Sequence, residues 1–232
     1  MALYAISDLH LPLGVNKPMD IFGKTWENYV DRLAKSWREI VLPEDTVVLP
    51  GDFSWATYLP QAYADFLFLH ELPGKKILLK GNHDYWWTTR NKLDEFMREN
   101  AFSDIHFLHN DSVLYQETAL CGTRGWAYGE TMGAEDEKIY TREIARLKLS
   151  LDAAKKLSPK QIIAFLHYPP VTPETKENRF TELLEEYGVS TCVFGHIHAA
   201  GHRSAVTGNI RGVEYLLVSC DYLGFCPVKL CD

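Results

Sequence analysis

Five short blocks hold the side chains best suited to bind a metal or move a proton. They are Asp8-Leu9-His10, Gly51-Asp52, Gly81-Asn82-His83-Asp84, a lone His167, and Gly195-His196-Ile197-His198. Together they supply Asp8, His10, Asp52, Asn82, His167, His196 and His198, a set of oxygen and imidazole ligands without thiolate that suits Mn, Fe or Zn. The pairs 8/10 and 196/198 each leave one residue between. On an extended segment such side chains point the same way and can chelate one ion; if the turn at 196–198 curls, each His can address a different ion. The set points to a two-metal site with Asp52 as the bridging carboxylate.

Each block needs an element to hold it. The apolar runs Leu3–Ser7, Thr46–Pro50, Lys76–Lys80, Ile162–Leu166 and Thr191–Phe194 read as buried strands, and each delivers one block just past its end. In an open α/β sheet such ends share a crevice where ligands bind. Helical spacing of Trp26, Tyr29, Val30, Leu33, Ala34 and Trp37 predicts a helix over 26–40. Further helices are expected over 59–70, 90–99 and 138–157, the last ended by Ser158-Pro159. Short strands are expected at 105–108, 112–115, 119–122, 213–218 and 225–230, with Asn110-Asp111 as a turn. Residues 123–138 lack periodicity and read as a loop.

The 232 residues fit one domain, 1–232, with 46% hydrophobic and 24% charged residues. A net charge of −7 argues against an extended nucleic-acid surface but not against a small anionic substrate held by metals. No apolar run approaches the ~20 residues of a membrane span, and the N-terminus shows no signal-peptide pattern. Five cysteines without a CxxC pair suit a reducing compartment. A cytoplasmic protein is expected.

The five blocks, in this order from residue 8 to residue 198, resemble the calcineurin-like metallophosphoesterases. The resemblance implies an α/β four-layer α-β-β-α sandwich, with two mixed β-sheets face to face and helices outside. It implies a dinuclear centre of two divalent metal ions (Mn, Fe or Zn), with Asp8, His10, Asp52 and His198 on one and Asp52, Asn82, His167 and His196 on the other. It implies hydrolysis of a phosphate ester by a metal-bridging hydroxide, with Asn82 and His83 contacting phosphate and His83 protonating the leaving oxygen. Two divalent cations against Asp8 and Asp52 leave the site cationic, as an approaching phosphoryl group needs.

Phe53-Ser54-Trp55 follows Asp52 in place of the Val-Asp-Arg-Gly of the Ser/Thr protein phosphatases, which removes their phosphate-clamping Arg. A purple acid phosphatase would carry a Tyr where Trp55 stands. The run Gly81–Trp87 is similar to a bacterial group of predicted phosphohydrolases. Arg124 is a candidate replacement clamp, since a planar guanidinium grips phosphate bidentately; an ordinary surface Arg is the alternative. Asp84 either orients His83 or caps the following helix. Trp55, Tyr85, Trp86, Trp87, Trp126 and Tyr168 are core residues or a rim on which a base or sugar stacks. His70, His106, His109 and His202 read as structural or surface residues. The expected partner is a small phosphorylated substrate, a nucleotide among the candidates, which would make the enzyme a nucleotide phosphodiesterase or pyrophosphohydrolase. The non-enzyme alternative is a protein-binding scaffold on the same fold.

Overall fold

In this computed structural model, which describes residues 1–129 and 132–232, the chain divides into two compact units. The first comprises Met1–Phe107 and Val218–Asp232, the second Leu108–Leu217. The fold is α/β: two mixed β-sheets, each flanked by helices.

In the first unit the strands are β1 (Leu3–Ala5), β2 (Thr46–Pro50), β3 (Lys75–Leu79), β4 (Ile105–Phe107) and β11 (Val228–Cys231), in the order β11-β1-β2-β3-β4. The pairs β1–β2, β2–β3 and β3–β4 are parallel, whereas β11 closes the edge antiparallel. Parallel neighbours need crossovers, supplied by α1 (Tyr29–Ile40), α2 (Tyr63–His70) and α3 (Arg90–Glu99). Helix α1 buries Tyr29, Leu33, Ala34 and Trp37, the stripe expected from its spacing, but a separate 3-10 turn at Lys24–Trp26 precedes it. A 3-10 turn at Leu59–Ala62 likewise precedes α2. Trp86 and Trp87 are buried in this unit's core, so they pack rather than form a rim.

In the second unit the order is β5-β6-β7-β8-β10-β9, from β5 (Ser112–Tyr115), β6 (Thr118–Thr123), β7 (Gln161–Leu166), β8 (Thr191–Phe194), β9 (Gly208–Ile210) and β10 (Val213–Leu217). Its helices are α4 (Ala134–Lys156) and α5 (Arg179–Glu186). Helix α4 starts four residues before the expected Lys138: Glu135, Asp136 and Glu137 fill its first turn, where carboxylates favour the positive end of the helix dipole. The expected loop is thereby shortened, and its residues 130–131 lie outside the described residues. Neither α5 nor β9 was expected. Helix α5 is set by Asn178, whose side chain accepts from the Phe180 and Thr181 backbone N–H groups.

Candidate metal and phosphate site

In the first unit the segments beyond β1 and β2 run side by side. The Asp8 N–H donates to Gly51 O, His10 N–H to Asp52 O and Leu11 N–H to Phe53 O, each at 2.9 Å. The pairing brings together Asp8, His10 and Asp52, all buried. His10 Nε2 lies 3.8 Å from Asp52 Oδ2, and an oxygen of Asp8 lies within 4.8 Å of one of Asp52. The Asp8 carboxylate accepts from Ser7 Oγ and, at 3.1 Å, from Ser219 Oγ. Asp52 Oδ1 accepts the His83 backbone N–H at 2.8 Å. That contact ties the Asn82–His83 segment, which follows β3, to the Asp52 loop. His10 stacks on Trp55 with centroids 4.6 Å apart, and its carbonyl accepts from Tyr29 Oη at 2.7 Å.

The buried carboxylate of Asp84 is what secures these loops. Its Oδ2 accepts the N–H of Asp52 at 2.9 Å and of Gly81 at 2.7 Å. Its Oδ1 accepts the Phe53 N–H at 2.9 Å and Trp86 Nε1 at 3.0 Å. Thr89, not Asp84, occupies the N-cap of α3, so the capping expectation gives way to anchoring of the Asp52 loop. Gly81 follows from the same crowding: a Cβ there would lie 2.1 Å from Asp52 Oδ1 and 2.3 Å from Asp52 N.

In the second unit the strand ends are tied in turn. His167 N–H and Tyr168 N–H both donate to Arg124 O, at 3.0 and 2.9 Å, and Gly195 N–H donates to His167 O at 3.1 Å. His167 is fully buried, and its Nε2 lies 3.3 Å from His196 Nδ1. Donor nitrogens ~2.1 Å from one tetrahedral or octahedral cation lie about 3.0–3.4 Å apart, so this imidazole pair fits a shared ion. His198 follows on the same turn, half-buried, at the N-cap of a 3-10 turn.

Four of the candidate ligands are among the twelve non-glycine residues, of those described, that have positive φ. Asp8, His10, Asp52 and His196 have φ of +61°, +46°, +52° and +71°, left-handed values that cost a non-glycine residue about 1 kcal/mol or more. Such strain is typically held where ligands or substrates are gripped.

Arg124 is largely buried rather than an ordinary surface Arg. Its Nη2 is 3.6 Å from Glu143 Oε1, and its Nε and Nη2 are buried without hydrogen-bond partners. Burial lowers the guanidinium pKa, and Glu143 opposes that shift. Glu143, fully buried on α4, also accepts from Thr123 Oγ1 and Arg146 Nη1, both at 2.7 Å. Sequence reasoning missed it, although a carboxylate in register with Leu147, Leu151 and Ala154 on an apolar stripe was a usable signal. Nothing comparable flagged Ser7, Ser219 or Asp65. Asp65 is a buried carboxylate that accepts from Leu13 N–H at 2.8 Å and from Ser54 Oγ. His70 takes the structural role expected, paired with Asp104 beside the buried amine of Lys76. The five cysteines are free thiols; burial pushes Cys121 up to about 12 and Cys192 and Cys220 well above the usual range. Among the described residues, no helix is long and apolar enough to cross a membrane.

The family model described as calcineurin-like phosphoesterase matches residues 1–200. Among solved structures, the chain is similar to phosphopantetheinyl hydrolase from Mycobacterium tuberculosis, at TM-score 0.58 and 14% identity over 99% of this chain and 95% of that one. The protein TT1561 of Thermus thermophilus matches at 0.58 and 14%, over 99% and 97%. The protein AQ665 from Aquifex aeolicus matches at 0.54 and 16%, over 98% and 95%. At these identities the likeness shows the fold. No curated protein matches the chain in sequence.

Proposed function

The chain belongs to the calcineurin-like phosphoesterases, a family of metal-dependent phosphoester hydrolases, and on that premise we propose a dinuclear phosphohydrolase acting on a small phosphorylated substrate in the cytoplasm. The two units act as one domain, 1–232. Asp8, His10, Asp52 and His198 would hold one divalent cation and Asp52, Asn82, His167 and His196 the other. The observation that supports this assignment is the convergence of ligand atoms within each unit, His10 Nε2 3.8 Å from Asp52 Oδ2 in one and His167 Nε2 3.3 Å from His196 Nδ1 in the other.

The metals, when bound, supply an activated water and neutralise charge on the phosphoryl group. The protein's own part is positioning. Ser7 and Ser219 orient the Asp8 carboxylate. The His83 N–H and the Asp84 anchor fix Asp52. The half-buried His83 ring, 4.9 Å from Trp55 and 5.6 Å from His10, donates a proton from a ring nitrogen to the leaving oxygen, and Asn82 contacts the phosphate. Arg124, with its Nε and Nη2 lacking hydrogen-bond partners, is the proposed phosphate clamp; unchanged kcat/KM in Arg124→Ala removes it from the site.

Metal content of the purified protein tests the proposal, together with hydrolysis of a chromogenic phosphodiester under added Mn²⁺, Fe²⁺ or Zn²⁺. About two metals per chain are expected, with activity lost in Asp52→Asn and His83→Ala. No metal and no turnover under any condition would leave the scaffold alternative. Parallel monoesters, nucleotides and a phosphopantetheine ester, the last suggested by the name of the mycobacterial neighbour, would define the preferred bond.

A further inference from the structure

The second unit carries a concavity of about 290 Å³, lined by Trp126, Tyr128, Met132, Asp136 and Tyr168 among others. It adjoins the proposed ligands through a continuous row of rings. Tyr168 lies 4.2 Å from His196 and 4.9 Å from Trp126, centroid to centroid. From the unit's own residues, and resting on the hydrolase proposed above, we infer that this concavity is a subsite for the organic part of the substrate, and that the part it takes is an amino-bearing nucleobase.

Three observations narrow the class. The lining holds no Lys or Arg among the described residues and includes the Asp136 carboxylate, so it offers phosphate no direct cationic contact and suits the other end of the molecule. The aromatic platform is held in place: Trp126 Nε1 donates to Asp136 Oδ1 at 3.3 Å, and the Arg124 guanidinium lies 4.7 Å from the Trp126 ring centroid, itself against Glu143. That guanidinium also decides between the two groups that aromatic walls attract. An organic cation would share the Trp126 π-system with a positive charge already there, whereas a neutral heteroaromatic ring stacks without that repulsion. Asp136 then offers an acceptor to an exocyclic amine. Gly125, at φ +73°, makes the bend that brings Trp126 onto Tyr168, and a Cβ there would touch Tyr168 at 3.5 Å.

The test is calorimetric titration of the Mn²⁺-supplemented protein with AMP, ribose 5-phosphate and phosphocholine, on the wild type, Trp126→Leu and Tyr128→Ala. Tyr128 is exposed, so the second variant guards against a folding defect in the first. AMP is expected to bind about tenfold more tightly than ribose 5-phosphate, within what one base stacked on an aromatic side chain gives, and both variants should shrink that ratio. Equal binding of AMP and ribose 5-phosphate, a ratio untouched in both variants, or phosphocholine binding more tightly than AMP would overturn the subsite. Phosphodiester hydrolysis measured on the same wild-type preparation separates the two proposals. Turnover without a base preference defeats the subsite alone, and a Trp126-dependent preference without turnover under any metal defeats the hydrolase alone.

Discussion

Replacing Asp84 by Asn exchanges one oxygen for an amide with almost no change of shape, so the effect isolates the hydrogen bonds of a buried carboxylate. Each carboxylate oxygen serves firm donors, Oδ2 those of Asp52 and Gly81 and Oδ1 those of Phe53 and Trp86. An amide can present its single oxygen to only one of these pairs. Its NH₂ group must then face two N–H donors, leaving two buried donors without an acceptor. Each such group costs about 1–3 kcal/mol, so Asp84→Asn should destabilise by about 2–6 kcal/mol. Against a typical stability of roughly 5–15 kcal/mol, the variant should still fold but with a much lower urea midpoint. The assay is urea unfolding of EDTA-treated wild type and variant, because bound metal would add its own linkage to the native state. A loss below about 1 kcal/mol would refute the anchoring role. The same variant, metal-loaded, should bind metal more weakly, since the Asp52 loop is the part released.

Gly81→Ala places a methyl 2.1 Å from Asp52 Oδ1 and 2.3 Å from its backbone nitrogen. It should cost about 1–3 kcal/mol and weaken metal binding more than Ala at an exposed position, as read by unfolding and metal titration. Burial raises the Asp65 pKa to about 7 despite hydrogen bonds from Ser54 and Leu13. Its native form thus holds a proton that the unfolded chain has already lost, so stability should fall as pH rises from about 4 to 7, by at most ~1.4 kcal/mol per pH unit. Asp65→Asn should flatten that slope in unfolding curves taken across the range, and an unchanged slope would assign it elsewhere. The buried Lys76 amine, its pKa lowered by burial, donates to Asp104 at 2.6 Å. Asp104→Asn should therefore destabilise by about 3 kcal/mol, the cost of stranding a buried charge, measured by thermal or urea unfolding.

The strands that carry the five blocks were legible in the chain's own pattern, because runs such as Thr46–Pro50 and Thr191–Phe194 are apolar, β-branched and punctuated where they end. That pattern also determined helix α3 to the residue and the buried stripe of α1, since periodicity survives without tertiary knowledge. Boundaries set by local electrostatics were harder to read: α4 begins on Glu135-Asp136-Glu137, whose polarity reads equally as loop. Residues whose partners are distant in sequence took their roles from the folded chain. Asp84 receives the Asp52 and Phe53 N–H groups from about thirty positions earlier, and Ser219 reaches Asp8 across 211. Glu143 meets Thr123 and Arg124 across a helix–strand junction, and Trp86 turns into the core rather than to a rim. A side chain's type limits the chemistry it can do, but which buried donor it satisfies depends on chain crossings that no local pattern encodes.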